Sequence, residues 1–130
     1  MTLNDPLANV LSHIQSYERL GKKVVKTKDN NKTIRKVLDI MKEHGYIGGY
    51  EEEEDSGGNI LKINLIGKVN DVGVVKPRFT VSTEEYEKFE KRYLPAMGFG
   101  NLILTTNQGL MTNEEAKEEG IGGKLISYVY

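Results

Sequence analysis

The chain has no cysteine and only two histidines, His13 and His44. Disulfides and thiolate metal sites are therefore excluded, and a zinc site would have to be completed by carboxylates. No apolar run approaches the ~18 residues that span a bilayer, and the opening MTLNDPLANV lacks a basic segment followed by an apolar one. The expected setting is the cytosol, away from membranes. No internal repeat is visible, nor any glycine-rich phosphate loop with a Lys-Ser/Thr partner. The net charge of −1 argues against a nucleic-acid partner, because proteins that bind nucleic acids usually carry a basic surplus.

That near-neutral total hides a strong segregation of charge. Nine Lys or Arg (Arg19, Lys22, Lys23, Lys26, Lys28, Lys32, Arg35, Lys36, Lys42) stand against Asp29 and Asp39 between positions 19 and 42, a local charge of +7. Glu51 to Asp55 is a run of acids that offsets most of it elsewhere on the chain. The basic stretch reads equally as a solvated helix face or as a phosphate-contacting surface. Lys32 opens a helix, where a cation opposes the macrodipole, and this favours phosphate contact. The acidic run is expected at a hairpin tip as a solubilising edge.

At 130 residues and 38% hydrophobic, the chain can bury a core or divide into two small modules. Asp5 with Pro6 starts a helix whose apolar face is Leu7, Val10, Leu11 and Ile14, and Gly21 ends it. A strand over Lys23 to Lys26 and a helix over Lys32 to Glu43 follow, the latter striped by Ile34, Val37, Leu38 and Met41. Tyr46 to Glu54 and Asn59 to Ile66 make a hairpin around Asp55-Ser56-Gly57-Gly58. This gives an N-terminal α-β-α-β-β module over residues 1–67. The boundary falls in the polar stretch from Gly67 to Gly73.

Residues 68–130 read as a second module, mostly β with short helices, so the fold class is α/β in the α+β sense. A strand is expected over Val74 to Val81, with Pro77 marking an edge or a break. Ser82 with Glu85 caps a helix running to about Arg92, whose Tyr86, Phe89 and Tyr93 share a face that reads as core before it reads as a base-stacking surface. Leu102 to Leu104 is a buried strand delivering the turn Thr105-Thr106-Asn107-Gln108-Gly109. Thr112 and Glu115 form a capping box, Gly120 ends that helix, and Gly122-Gly123 precede a final strand over Lys124 to Tyr130.

The turn collects short hydroxyl and amide groups that both donate and accept hydrogen bonds, a chemistry suited to base edges and ribose hydroxyls in the shallow minor groove of an RNA helix. The bare backbone of Gly122 and Gly123 is expected to let a partner approach. Thr105 or Thr106 acting as a nucleophile would need a base within reach, and both histidines lie in the other module. Tyr128 and Tyr130 share a strand face and either pack inward or wall the site.

The order Thr-Thr-Asn-x-Gly-x-Met-Thr from Thr105, then Glu115-Ala116, Gly120-Ile121-Gly122-Gly123-Lys124 and Tyr128-Val129-Tyr130, resembles the C-terminal signature of the small-subunit ribosomal protein eight family in its archaeal form. Asp5-Pro6-Leu7-Ala8, Lys32, His44-Gly45-Tyr46-Ile47, Asn64-Leu65 and Lys76-Pro77-Arg78-Phe79 extend the resemblance along the whole chain. It implies a structural, non-enzymatic protein that binds the central domain of small-subunit ribosomal RNA and promotes assembly, in the cytoplasm and bound to the ribosome. The implied partners are that RNA and neighbouring ribosomal proteins, with no cofactor, metal, small-molecule substrate or membrane. Carried over by position, the RNA-binding residues are Thr105, Thr106, Asn107, Gln108 and Gly109, supported by Gly122, Gly123, Lys124 and Tyr128, with Asn4 and Lys32 from the first module. Relatives commonly have serine where this chain has Asn107. A protein–protein adaptor that uses the basic and acidic faces without RNA is the alternative.

Overall fold

The computed structural model describes residues 5–55, 58–96 and 98–130. The chain separates into two compact units, Met1–Asn70 and Asp71–Tyr130. Asn4, Ser56 and Gly57, all named above, lie outside the described residues.

The first unit opens with α1 (Pro6–Arg19), where the Asp5 carboxylate accepts the Ala8 N–H at 3.2 Å and the four predicted apolar residues are buried. After β1 (Val24–Thr27), α2 spans Lys32–Glu43. Asn31, which the sequence pattern did not single out, caps α2 by accepting the Ile34 N–H at 2.9 Å. A cap of this kind contributes about 1 kcal/mol, whereas each fully buried aliphatic side chain contributes roughly 1.5–3 kcal/mol. The buried face formed by Ile34, Val37, Leu38, Ile40 and Met41 is therefore what holds the helix.

Strands β2 (Ile47–Asp55) and β3 (Gly58–Leu65) complete an antiparallel sheet in the order β1-β3-β2. The acidic run lies along the arm that leads up to the hairpin tip: Glu51 to Glu54 pair in register with Lys62 to Asn59, and Asp55 with Gly58. Because β2 is an edge strand, those charges guard its unpaired backbone against further strand addition. They also hold cations. Glu53 lies 3.8 Å from Lys26 and 3.9 Å from Lys62, and Glu52 lies 3.9 Å from Arg35.

The second unit departs from the expected continuous strand over Val74 to Val81. It forms β4 (Val72–Val74) and β5 (Thr80–Val81), both paired antiparallel with β8 (Gly123–Val129). Proline has no N–H for a ladder, and Pro77 falls in the interruption. Helix α3 (Tyr86–Tyr93) begins later than Ser82. The Glu85 carboxylate still turns back to accept the Ser82 N–H at 3.1 Å and its hydroxyl at 3.0 Å, one half of the expected capping box, but the first helical residue is Tyr86.

Strands β6 (Asn101–Thr106) and β7 (Gly109–Thr112) form a hairpin, and α4 (Asn113–Glu119) follows. Thr112 accepts the Glu115 N–H, and Gly120 closes α4 at φ 68°, as expected. The sheet runs β4-β8-β6-β7, with β5 also on β8. One core holds Val81, Tyr86, Phe89, Leu102, Leu104, Ala116 and Leu125, so Tyr86 and Phe89 are packing residues. Asn113, nearly fully buried, accepts the Leu102 N–H at 3.1 Å and donates to Glu90, which Lys117 meets at 2.5 Å.

Candidate nucleic-acid interface

The hairpin tip is tighter than the sequence pattern implies. Thr106 pairs with Gly109, leaving only Asn107 and Gln108 as connection, so Thr105 and Thr106 belong to β6 and Gly109 to β7. The Thr106 hydroxyl accepts the Gln108 N–H at 3.0 Å and donates to the Gly109 carbonyl at 2.9 Å. Its only proton is thus spent inside the turn. Gly109 has φ 106°, a backbone conformation that side chains with a Cβ rarely adopt. Asn107 and Gln108 are exposed at the tip.

Successive strand residues point to opposite faces, so Thr105 and Thr106 do not act as a pair. Thr106 shares the side of Leu104, whereas Thr105 lies in register with Leu110 on one neighbour and Lys124 on the other. Lys124 in turn pairs with Thr80. The outcome is a cross-strand row, Thr80–Lys124–Thr105–Leu110, in which the first three are exposed and Leu110 is partly so. At a strand spacing of about 4.8 Å the row spans roughly 14 Å. Lys124 has no acidic partner among the described residues. Thr80 was missed because only long-range register places it beside Lys124.

Gly122 and Gly123 lie against the protein's own backbone. A Cβ on Gly122 would overlap the Val81 carbonyl oxygen and lie 3.2 Å from Ser82 Cα. A Cβ on Gly123 would overlap the Thr105 carbonyl oxygen and lie 2.9 Å from Thr106 Cγ2. The space a side chain would occupy is filled by the protein's own strands.

Tyr128 is likewise not brought to the polar row. It pairs with Leu102, three residues from Thr105 along β6, and so lies on the other face of the sheet. Its ring stacks on Tyr93 at 5.8 Å and Tyr130 at 6.3 Å, over the space that a Cβ on Gly73 would fill. Burial raises its pKa, with further contributions from Asp71, Tyr130 and Tyr93. The Tyr130 hydroxyl donates to Asp71 at 3.1 Å. This end of the sheet is a half-buried aromatic stack packed against the core.

In the first unit, Lys32 is exposed at the start of α2. Lys26 and Arg35, by contrast, are held by Glu53 and Glu52, so part of the basic stretch is neutralised by the acidic strand. Among the described residues neither Thr105 nor Thr106 hydrogen-bonds a carboxylate or imidazole, and no cluster of three His, Cys, Asp or Glu is placed to hold a metal ion. No helix among them is long and apolar enough to cross a membrane.

The second sheet thus presents an exposed row of short hydroxyls around one lysine that has no acidic partner among the described residues. The family described as Ribosomal protein S8 matches residues 5–130. The chain belongs to the ribosomal protein S8 family. Membership makes this a small-subunit ribosomal protein that binds ribosomal RNA, and the S8 family is a structural rather than an enzymatic one. The match reaches from the Asp5 cap of α1 to the end of the second sheet, so both units are parts of the S8 chain.

Proposed function

We propose that the second unit is the RNA-recognition module, and that Thr80, Lys124 and Thr105, with Asn107 and Gln108 at the adjoining tip, lie in the minor groove of a structured element in the central domain of small-subunit ribosomal RNA. The observation that carries this is the exposed, unpaired Lys124 between two short hydroxyls, one strand spacing away on either side. Minor-groove recognition of an RNA helix rests on 2′-hydroxyl and phosphate contacts across a shallow surface, and short side chains flanking one cation match that demand. Thr106, Gly109, Gly122, Gly123 and Tyr128 serve by holding the strands that carry this row. Lys32 supplies a phosphate contact from the first unit. Binding early in subunit formation would then promote assembly, with the protein resident on ribosomes in the cytoplasm. The unbroken order from Thr105 to Tyr130 supports the archaeal type.

Titration of the pure protein against a folded fragment of central-domain RNA at several salt concentrations tests this. Lys124→Ala is expected to lower the salt slope by about one unit. Thr105→Val, which keeps shape and removes the hydroxyl, is expected to weaken binding about five- to tenfold at unchanged slope. Wild-type affinity in both variants would reject the interface, and a pure protein with no affinity for the fragment would favour the adaptor reading.

A further inference from the structure

A second surface lies wholly within the first unit. Glu18, Gly21, Lys22, Lys23, Leu65 and Ile66 line an open groove of about 520 Å³. Among the described residues, four large hydrophobic side chains are exposed: Ile66 (48%) lines the groove itself, and Leu20 (69%) and Val24 (37%) are the chain neighbours of its lining residues Gly21 and Lys23. Exposed aliphatic side chains at and beside a groove, in a unit that buries Leu11, Ile14 and Leu38 completely, point to a contact surface.

The charges at the rim select the occupant. The one acid lining the groove, Glu18, is engaged, accepting the Val69 N–H at 3.1 Å. Lys22 lies over the Tyr17 ring at 5.4 Å, and neither Lys22 nor Lys23 has an acidic partner among the described residues. The contrast with Lys26 and Arg35, each matched to a glutamate of β2, is direct. We propose that this groove docks a segment of a neighbouring protein that carries an aliphatic anchor flanked by carboxylates. The aliphatic side chain covers Leu20 and Ile66, and the carboxylates meet Lys22 and Lys23. A phosphodiester backbone would satisfy the lysines but leave the apolar floor wet, so RNA is the less fitting occupant.

The test places a benzophenone amino acid at Leu20, and separately at Ile66, in the full chain assembled into small subunits. After irradiation the attached material is identified by mass spectrometry, with and without Lys22→Glu and Lys23→Glu. The expected result is one crosslinked protein segment rich in Asp, Glu and aliphatic residues, its yield lowered at least about fivefold by the charge reversal. Lys22→Gln and Lys23→Gln, confirmed folded by thermal melting, should give an intermediate loss and exclude unfolding as the cause. Crosslinks to RNA, no crosslink at either position, or a protein crosslink indifferent to both charge changes would overturn the proposal.

Discussion

The two sheets finish their exposed faces in opposite ways. In β1-β3-β2 the outer side chains are long and charged, and they satisfy one another laterally, with Glu53 between Lys26 and Lys62. In the second sheet the row Thr80–Lys124–Thr105–Leu110 is short and polar around a lone cation. A laterally paired charge has already given up part of its attraction to a phosphate, whereas an unpaired one has not. The density of lysine along a sequence thus does not tell which cations stay without an acidic partner. The first unit spends Lys26, Lys62 and Arg35 on its own edge strand, and the second pairs Lys91 and Lys117 but leaves Lys124 without an acidic partner among the described residues.

The comparison can be broken most forcefully at Gly123. If the second sheet needs bare backbone for its own packing, Gly123→Val should cost about 3 kcal/mol or more through overpacking, lowering the melting temperature by at least ~12 °C for a unit of this size. Native-like melting with lost RNA affinity would instead return these glycines to the recognition surface. Asn113→Ala comes next, because it strands the buried Leu102 N–H and leaves the Glu90 carboxylate to Lys117 alone. The expected loss is about 2–3 kcal/mol in denaturant unfolding, with binding intact in the folded fraction.

On the first sheet, Glu53→Gln should change stability by no more than ~0.5 kcal/mol yet release Lys26 and Lys62. Nonspecific RNA affinity should then rise, with a salt slope steeper by about one unit, and an unchanged slope would mean that the ion pairs withhold nothing. The smallest effect concerns alkaline pH. Burial, with the hydrogen bond its phenol donates to Asp39, raises Tyr50 from 10.0 to about 12. The neutral phenol is favoured in the folded state, so this contribution is complete below pH 10 and fades as pH rises from about 10 to 12. Tyr86, Tyr128 and Tyr130 are raised in the same direction, each chiefly by burial. Comparing Tyr50→Phe with the parent in melts across that range should show a shallower alkaline decline in the variant.

Local patterns in the sequence were reliable where the deciding forces are local. The bounds of α2 follow from the spacing of Ile34, Val37, Leu38 and Met41, and the α4 cap from Thr112 and Glu115, because helix periodicity and capping act over three or four residues. The interface was legible as a segment but not as a surface. Which face Thr105, Thr106 and Tyr128 occupy depends on register, and the β6–β8 pairing shifts between Ile103 and Leu104. No local pattern announces that irregularity. The glycines are ambiguous for a related reason: a bare backbone reads the same whether a ligand or a neighbouring strand takes the space. Thr80 escaped notice because its partner lies 44 positions away along the chain.

One consequence of the second sheet's topology concerns time rather than space. Strands β4, β5 and β6 all precede β8 in the chain, yet all three find their partner in it, and Asp71 and Tyr130 clasp each other through reciprocal backbone hydrogen bonds of 3.0 and 2.9 Å. During synthesis the first unit and the β6–β7 hairpin can form as they emerge, but the sheet stays open until β8 arrives. Lys124 travels on that late strand, between Thr80 and Thr105, which must wait for it. A nascent chain accordingly carries the pieces of the polar row without the row itself, which is assembled in a single late step.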